Sequence, residues 1–378
     1  MAEPFKNVLN PKLVCDMANR LHRVDRSFDK KGFINTVNAS LESLELKQRS
    51  DLICTQLKVF LPNDFKQSGS ILLESLGKEL DDSAIESGIT KEGLAGWVIM
   101  PLADYVARNG KEQFGLSMQL LKEMTKRFSS EFAIRPFLDE QTQETLTYVH
   151  DWANDENEHV RRLASEGTRP RLPWGMKLQK FVQDPLPILP ILEKLKDDPS
   201  EYVRRSVANN LNDISKDHPE LVTEIAENWL VKASKERQKL VRHACRTLIK
   251  SGHKGALKAL GYDGAELSSC TLMLSDTQLI FGGAIELTAS ITSDSGNTQP
   301  LMVDYIVHHQ KANGTTSEKV FKWKVVDLKP GKTLSFKKKH TIKPITTRVY
   351  YPGVHKVELQ INGEVVAENA FELVMPTT

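Results

Sequence analysis

The spacing of apolar residues changes at about Leu267, and this change constrains the fold more than any other feature of the sequence. Before it, apolar residues recur four apart on one helical face, as do Leu116, Leu120, Met124 and Phe128. After it, short segments alternate apolar and polar residues, which is the period of a β-strand. The sequence therefore predicts a multidomain chain, with an α-helical part followed by a β part.

The β part is predicted to be an immunoglobulin-like β-sandwich over residues 266–376. About seven strand-like segments, separated by turn signals such as SDSGN and KPGK, fall in roughly 110 residues, which is typical of that fold. The segments are TLML, AIELTASIT, LMVDYIVHH, KVFKWKVV, TLSFKKKHTI, HKVELQI and NAFELV. No Cys…Trp…Cys pattern is present, so the disulfide of antibody domains is not expected. A linker is predicted at residues 261–266.

The helical part contains a repeated motif. VRRLASEG begins at Val160, VRRSVANN at Val203 and VRHACRTL at Val241, at intervals of 43 and 38 residues. Helix pairs of the HEAT type repeat every 40–47 residues or so and stack into a curved solenoid with a concave binding face. Residues 1–262 are therefore predicted to form a HEAT-like α-solenoid.

The composition points to a soluble protein: of 378 residues, 40% are hydrophobic and 26% charged. No apolar run approaches the roughly 20 residues that a membrane-spanning helix needs, and MAEPFKNVLNPK lacks the pattern of a signal peptide. The four cysteines form no CxxC pair, and the histidines do not cluster with acids at metal-ligand spacing. We expect a cytoplasmic protein without a membrane partner, metal or other cofactor.

Positive charge is concentrated between Lys319 and Lys343, where nine lysines accompany one acid, Asp327. Such a segment can attract a polyanion. Lysine on a strand edge equally prevents edge-to-edge aggregation. The sequence leaves both interpretations open.

The stretch EHVRRLASEGTRPRLPW, residues 158–174, combines a helix with an unusual end. Arg162 and Glu166 lie four apart, and the second repeat continues their row with Arg205, Asn209 and Asp213. After the expected helix stop at Gly167, the chain presents Arg169, Arg171 and Trp174 from a proline-stiffened turn. Arginine binds phosphate and tryptophan stacks on bases, so the group favours a nucleic-acid surface. The alternatives are a surface ion pair of little value and a tryptophan that fills the interior.

A second carboxylate–arginine pair, Glu131 and Arg135, is expected at a helix start in SSEFAIRPF. No nucleophile elbow, phosphate-binding loop or zinc-protease motif is present. Carboxylates in a groove that faces DNA repel its phosphates, so a function should require them. One such function is stabilising the oxocarbenium-like state of glycosidic bond cleavage.

Four segments resemble the AlkC-type alkylpurine DNA glycosylases, in the HEAT-like superfamily that also contains AlkD. These segments are PLADYVARNG (101–110), RFSSEFAIRPFL (127–138), DENEHVRRLASEGTRPRLPW (155–174) and DPSEYVRRSVANNLNDISKDHP (198–219). The resemblance covers most of residues 1–260, and the β part is similar to the Ig-like domain of one AlkC subfamily. It implies a HEAT-like solenoid, an appended Ig-like domain, and monofunctional hydrolysis of N-alkylated bases in duplex DNA. Expected substrates are 3-methyladenine, 3-methylcytosine and 1-methyladenine, whose positive charge makes them good leaving groups without a metal.

Carried over by motif, the resemblance implies catalytic carboxylates at Glu131, Glu166 and Asp213, and a lesion-contacting wall at Trp174. We expect Asp213 and Glu166 to position water and stabilise the sugar cation, with Glu131 completing the negative site. Phosphate contacts are expected from seven basic residues: Arg162, Arg169, Arg171, Arg205, Lys337, Lys338 and Lys339.

The expected protein is a monomer, because one solenoid can span one lesion site, and in a bacterium it would associate with the nucleoid through DNA. Two alternatives remain open at this point. One is a non-catalytic HEAT-repeat scaffold whose Ig-like module binds a protein. The other is a relative that binds lesions without cutting.

Overall fold

The computed structural model describes residues 4–79 and 92–376. Sixteen α-helices occupy the first part of these residues. They are α1 (Pro11–Val24), α2 (Lys30–Asn38), α3 (Leu46–Phe60), α4 (Phe65–Ser75), α5 (Ile99–Asn109), α6 (Phe114–Thr125), α7 (Arg135–Glu140), α8 (Thr142–Trp152), α9 (Glu158–Gly167), α10 (Gln179–Gln183), α11 (Leu189–Leu195), α12 (Glu201–Ile214), α13 (Pro219–Leu230), α14 (Lys235–Ala244), α15 (Arg246–Lys250) and α16 (Lys254–Ala259). Short 3₁₀ helices cover Phe5–Val8, Leu41–Ser43, Gly96–Val98, Lys111–Gln113 and Leu186–Ile188.

Eight strands follow the helices. They are β1 (Leu267–Leu274), β2 (Gln278–Ile280), β3 (Ala284–Ser293), β4 (Gln299–Gln310), β5 (Thr316–Leu328), β6 (Thr333–Thr341), β7 (Gly353–Ile361) and β8 (Glu364–Val374). The helical region is solenoid-like and the strands form an Ig-like sandwich, so the predicted fold class is confirmed. None of the described helices is both long and apolar enough to cross a membrane.

The chain folds as two compact units, Met1–Asp217 and His218–Thr378. The change from helix to strand falls between Ala259 and Leu267, as the sequence predicts, but the second unit begins earlier and includes α13–α16. The turn after α15 approaches the β7–β8 turn so closely that a Cβ at Gly252 would lie 2.7 Å from the carbonyl oxygen of Gly363. This contact between two backbones ties the last helices to the sandwich. The domain boundaries 1–262 and 266–376 stay a prediction.

In the first unit, α9 and α12 pack against each other through the apolar stripes that the repeat predicts. Val160, Leu163 and Ala164 of α9 are almost completely buried, as are Val203 and the residues that follow it on the same stripe of α12. Asn157 caps α9 by accepting a hydrogen bond from the amide of His159. This packing brings the polar faces at the ends of both helices together.

The sandwich consists of a three-stranded sheet, β1-β3-β6, and a five-stranded sheet, β2-β8-β7-β4-β5. Strict alternation in β3 turns Ile285, Leu287, Ala289 and Ile291 into the core between the sheets. The three-residue strand β2, which pairs in parallel with β8, was not predicted because it is too short to show a period. The lysine-rich strands β5 and β6 are edge strands of their respective sheets.

Candidate active site

A cavity of about 460 Å³ opens in the first unit, and the candidate residues of the sequence gather around it. Most of its wall is apolar or aromatic, with charged groups collected on one side. The lining residues are Leu46, Trp97, Met100, Phe128, Ser129, Glu131, Phe132, His159, Arg162, Glu166, Arg169, Leu172, Pro173, Trp174 and Tyr202. An apolar cavity with a few convergent charged groups is typical of a binding or catalytic site.

The charged side is a chain of alternating carboxylates and guanidinium groups. Arg162 lies 2.5 Å from Glu131 and 3.3 Å from Glu166, so it bridges the two carboxylates. Arg169 continues the chain, 2.7 Å from Glu166 through Nη1 and 2.9 Å from Asp213 through Nε. Three predicted catalytic carboxylates thus share one network with two of the predicted arginines.

Local helix geometry explains part of this arrangement. One turn of α9 places Arg162 and Glu166 on the same face, as predicted. The helix then ends at Gly167, and Arg169 turns back to the carboxylate of Glu166 from beyond that end. From α12, Ser206 donates a hydrogen bond of 2.6 Å to Oε2 of Glu166. The packing of α9 on α12 therefore assembles groups that are about 40 residues apart.

The network holds the carboxylate of Glu166 in the charged form. Burial by itself raises the pKa of Glu166, but Arg162 and Arg169 outweigh that effect and, with the hydrogen bond from Ser206, lower it below its usual range. The pKa of Arg162 is raised in spite of burial, because Glu131 and Glu166 face it. Its guanidinium also stacks over Tyr202, 5.0 Å from the ring centroid. Negative charge is thus fixed beside an apolar cavity.

The three carboxylates differ in whether they line the cavity and in how many of their oxygens are engaged. Asp213 is almost fully buried and does not line the cavity; its Oδ2 accepts from Arg169 and its Oδ1 from Lys216 at 3.1 Å. Glu131 lines the cavity, and its Oε2 accepts from Arg162 and Ser129. Among the described residues, the hydrogen bonds and the ion pair of the Glu131 carboxylate engage Oε2 and not Oε1. Of the three carboxylates, Glu131 is therefore the one that lines the cavity and keeps one oxygen outside the network.

The expected pair between Glu131 and Arg135 does not form. Helix α7 begins only at Arg135, and this side chain is fully buried. Its Nε donates to the carbonyl of Met176 at 2.7 Å and its Nη1 to the carbonyl of Gly167 at 2.9 Å. Burial lowers the pKa of Arg135 to about 10. Arg135 therefore holds both ends of the 167–176 loop, and Glu131 finds its partner in Arg162 instead.

That loop presents Trp174 to solvent, so the alternative in which it fills the interior is wrong. Its side chain is 64% exposed, and its φ of +64° is a conformation that few residues other than glycine adopt. Lys47 donates a hydrogen bond to the backbone carbonyl of Trp174. Gly167, at the end of α9, is required for a different reason: a Cβ there would lie 2.7 Å from Cγ2 of Ile134.

The seven basic residues expected to contact phosphate differ in burial and in ion pairing. The side chains of Arg162 and Arg169 are 15% and 7% exposed and neutralise the carboxylates, which does not fit a phosphate contact. Arg171 forms a two-bond pair with Asp217, at 2.9 and 2.7 Å. Arg205 is exposed and forms no ion pair with any described residue.

The three remaining basic residues, Lys337, Lys338 and Lys339, lie in β6 and therefore alternate between its two faces. Lys337 lies 2.7 Å from Glu286 of the neighbouring strand. Both interpretations of the lysine-rich segment remain compatible with this placement on an edge strand.

Sequence reasoning missed several residues of the site. Trp97, Phe128 and Tyr202 line the cavity, and Ser206 holds Glu166. Their positions come from three separate stretches of the chain, and isolated aromatic residues give no local signal of a shared wall. Among residues 4–79 and 92–376, no group of three His, Cys, Asp or Glu side chains could hold a metal ion.

Comparisons with known proteins agree on one relationship. The family model described as DNA alkylation repair enzyme matches residues 127–248, and the model of the C-terminal Ig-like domain of the uncharacterised protein YhaZ matches residues 268–375. The YhaZ protein of Bacillus subtilis is 35% identical over 363 residues, covering 96% of this chain and 97% of its own. A solved structure of Pseudomonas fluorescens alkylpurine DNA glycosylase AlkC, bound to DNA containing an abasic site analog, superimposes with a TM-score of 0.86. It is 36% identical and the match covers 98% of this chain and 100% of that one.

Proposed function

The chain belongs to the AlkC-type branch of the DNA alkylation repair enzyme family, and from this premise we propose that it hydrolyses the N-glycosidic bond of cationic N-alkylated bases in duplex DNA. The observation that carries the proposal is the row of three carboxylates, interleaved with two arginines, beside an apolar cavity. Such a row can stabilise positive charge that develops on a deoxyribose. The proposed substrates are 3-methyladenine, 3-methylcytosine and 1-methyladenine.

The proposed reaction needs no leaving-group acid. When the bond from C1′ to the base breaks, its electron pair neutralises the positive charge of the base, which leaves as a neutral molecule. The sugar becomes an oxocarbenium-like cation, and water adds to C1′. The proton that water releases needs an acceptor within reach of the cavity. The free Oε1 of Glu131 meets this requirement, so we assign water activation to Glu131.

The other carboxylates receive different roles in this proposal. Glu166, kept ionised by two arginines, supplies fixed negative charge to the sugar cation. Asp213, engaged through both oxygens, acts as a positioning residue that holds Arg169 against Glu166. This division reverses the roles expected from sequence for Glu131 and Asp213, because the side chain of Asp213 is only 2% exposed. Trp174 is proposed to contact the lesion.

DNA is the proposed partner, and the solved AlkC relative is DNA-bound. We propose phosphate contacts from Arg205 and Arg171, and from Lys337, Lys338 and Lys339 where they face outward. A monomer that acts in the cytoplasm, at the nucleoid, remains a prediction.

The test is single-turnover base release from a duplex that carries one 3-methylcytosine. We expect release by the wild-type protein and a loss of about 100-fold or more in Glu131→Gln. The matched control is Glu140→Gln, since Glu140 is a surface carboxylate that pairs with Lys111 away from the cavity. Equal rates in the two variants would exclude Glu131 as the water-activating group. Tight, salt-sensitive binding with no release by wild type would identify a lesion-binding protein, and neither binding nor release would identify a scaffold.

A further inference from the structure

Four aromatic rings meet beside the cavity, and one of them, Phe5, comes from the start of the chain. The ring of Phe5 stands edge-on to Trp97, with centroids 5.1 Å apart, and lies 6.4 Å from the ring of Trp174. Trp97 in turn packs on Phe128 at 4.6 Å. Trp97, Phe128 and Trp174 line the cavity, so Phe5 extends their wall at the side of Trp174.

The exposure of two of these rings calls for an explanation. Phe5 is 53% exposed and Trp174 is 64% exposed, and they lie next to each other. Adjacent exposed aromatic rings contribute less to a hydrophobic core than buried ones and often form part of a binding surface. The carboxylates of Glu131 and Glu166 line the same cavity as Trp174.

The position of Phe5 is fixed by a buried arginine that has no other evident role. Arg49 is 2% exposed, and its Nη1 donates to the carbonyls of Lys6 at 3.1 Å and Leu9 at 2.9 Å. Its Nε donates to the carbonyl of Leu44 at 2.9 Å, which ties the first residues to the 41–45 turn. The 3₁₀ helix that carries Phe5 is therefore held on both sides, since Lys6 also pairs with Glu45.

We infer that Phe5, together with Trp97 and Trp174, forms an aromatic cage that recognises the positive charge of the alkylated base, and that Phe5 is a specificity-determining residue. The inference rests on the proposed function. Aromatic faces attract cations through their quadrupole, and carboxylates nearby add to that attraction. A neutral base gains the stacking contact but not the electrostatic one. The cage therefore distinguishes a cationic lesion from normal adenine without reading its hydrogen-bonding edge.

The experiment compares two duplexes that differ in one methyl group and one charge. The first carries 1-methyladenine on 2′-fluoroarabinose, which resists hydrolysis, and the second carries adenine at the same place. Dissociation constants are measured for the full-length wild type, Phe5→Ala and Phe5→Leu. Leu186→Ala is the matched control, because Leu186 is a similarly exposed apolar residue, at 60%, away from the cavity. Thermal unfolding of each variant establishes that it is folded.

We expect Phe5→Ala to lower the preference for the cationic duplex about fivefold, because the cationic duplex loses stacking and charge attraction while the adenine duplex loses only the stacking contact. Phe5→Leu should lose most of that preference, since leucine keeps the apolar contact and lacks the π face. The control should behave as wild type. Equal weakening of both duplexes by Phe5→Ala would mean that Phe5 is an apolar wedge, and an unchanged preference would mean that it is outside the site; either result overturns the inference alone. A wild type that shows no lesion preference and releases no base overturns the proposed function as well.

Discussion

Replacing Arg169 by methionine tests which of two roles this arginine has: holding the carboxylates together or contacting DNA phosphate. The wild-type guanidinium joins Glu166 and Asp213, whose side chains are 6% and 2% exposed. Methionine fills similar space but leaves both carboxylates without their shared partner. Each keeps one cation, since Arg162 lies 3.3 Å from Glu166 and Lys216 lies 3.1 Å from Asp213.

The expected loss in the free energy of unfolding follows from the number of cations that each carboxylate keeps. Breaking a buried ion pair by removing one partner costs about 3–5 kcal/mol. Because each carboxylate keeps one neighbouring cation, we expect the lower end, about 3 kcal/mol. Arg169→Lys should lower the free energy of unfolding by less, because the ammonium keeps the positive charge. Some loss should remain, because lysine lacks the planar fork that bonds both carboxylates at once.

The same change should move the pH dependence of base release. Burial raises the pKa of Glu166, and Arg162 and Arg169 together lower it below its usual range. Without Arg169 this pKa rises, so Glu166 becomes protonated at a higher pH as the solution is acidified. The acidic limb of the pH–rate profile therefore shifts to higher pH in Arg169→Met. The shift distinguishes an electrostatic role from a loss of stability alone.

Urea unfolding, a pH–rate profile and the salt dependence of DNA binding measure the three consequences. Arg205→Met is the control, because Arg205 is exposed and forms no ion pair with a described residue. We expect it to leave stability unchanged and to reduce the slope of log K against log salt by about 1. Arg169→Met should lower the free energy of unfolding and leave the salt slope unchanged. A stability loss below about 1 kcal/mol together with a reduced slope would mean that Arg169 contacts DNA phosphate and does not hold the carboxylates.

Three further predictions concern other parts of the chain. Gly167→Ala should destabilise the protein by about 1–3 kcal/mol, because the new Cβ would lie 2.7 Å from Ile134, whereas Gly264→Ala, with open space around it, should not; equal urea midpoints would contradict this. Trp174→Ala should weaken binding to a lesion duplex about tenfold without lowering the melting temperature, since the ring is exposed; a lower melting temperature with unchanged affinity would show a structural role. Burial lowers the pKa of His309 to about 3 and of His340 to about 4. Below about pH 6.5 these histidines therefore bind protons in the unfolded chain but stay neutral in the folded sandwich. Their contribution to stability is full above that pH and falls by about 2 kcal/mol per histidine near pH 5. Burial lowers the pKa of His355 as well, so His309→Phe should remove only part of the pH dependence of urea unfolding, about 2 kcal/mol near pH 5. An identical pH dependence in His309→Phe and wild type would contradict the prediction.

Local periods in the sequence were enough for the fold class. The stripe of Val160, Leu163 and Ala164 is buried as predicted, because side-chain spacing along a helix decides which residues share a face. The alternation in β3 follows the same reasoning with a period of two. The ion pair between Arg162 and Glu166 was predictable because it lies within a single helical turn.

The candidate site depended on contacts that no local period encodes. Arg162 meets Glu131 across 31 residues and Arg169 meets Asp213 across 44, so their pairing follows from how helices pack. The sequence placed Asp213 correctly on its helix but could not tell that both carboxylate oxygens would be engaged in the interior. The exposure of Trp174 depends on the loop that Arg135 holds, and the place of Phe5 depends on Arg49. The elements and their buried faces follow from the sequence alone, because short-range geometry decides which side chains share a face. Which charges are neutralised, and which carboxylate oxygen stays outside the network, depends on how the helices pack, because burial and long-range electrostatics exist only after packing.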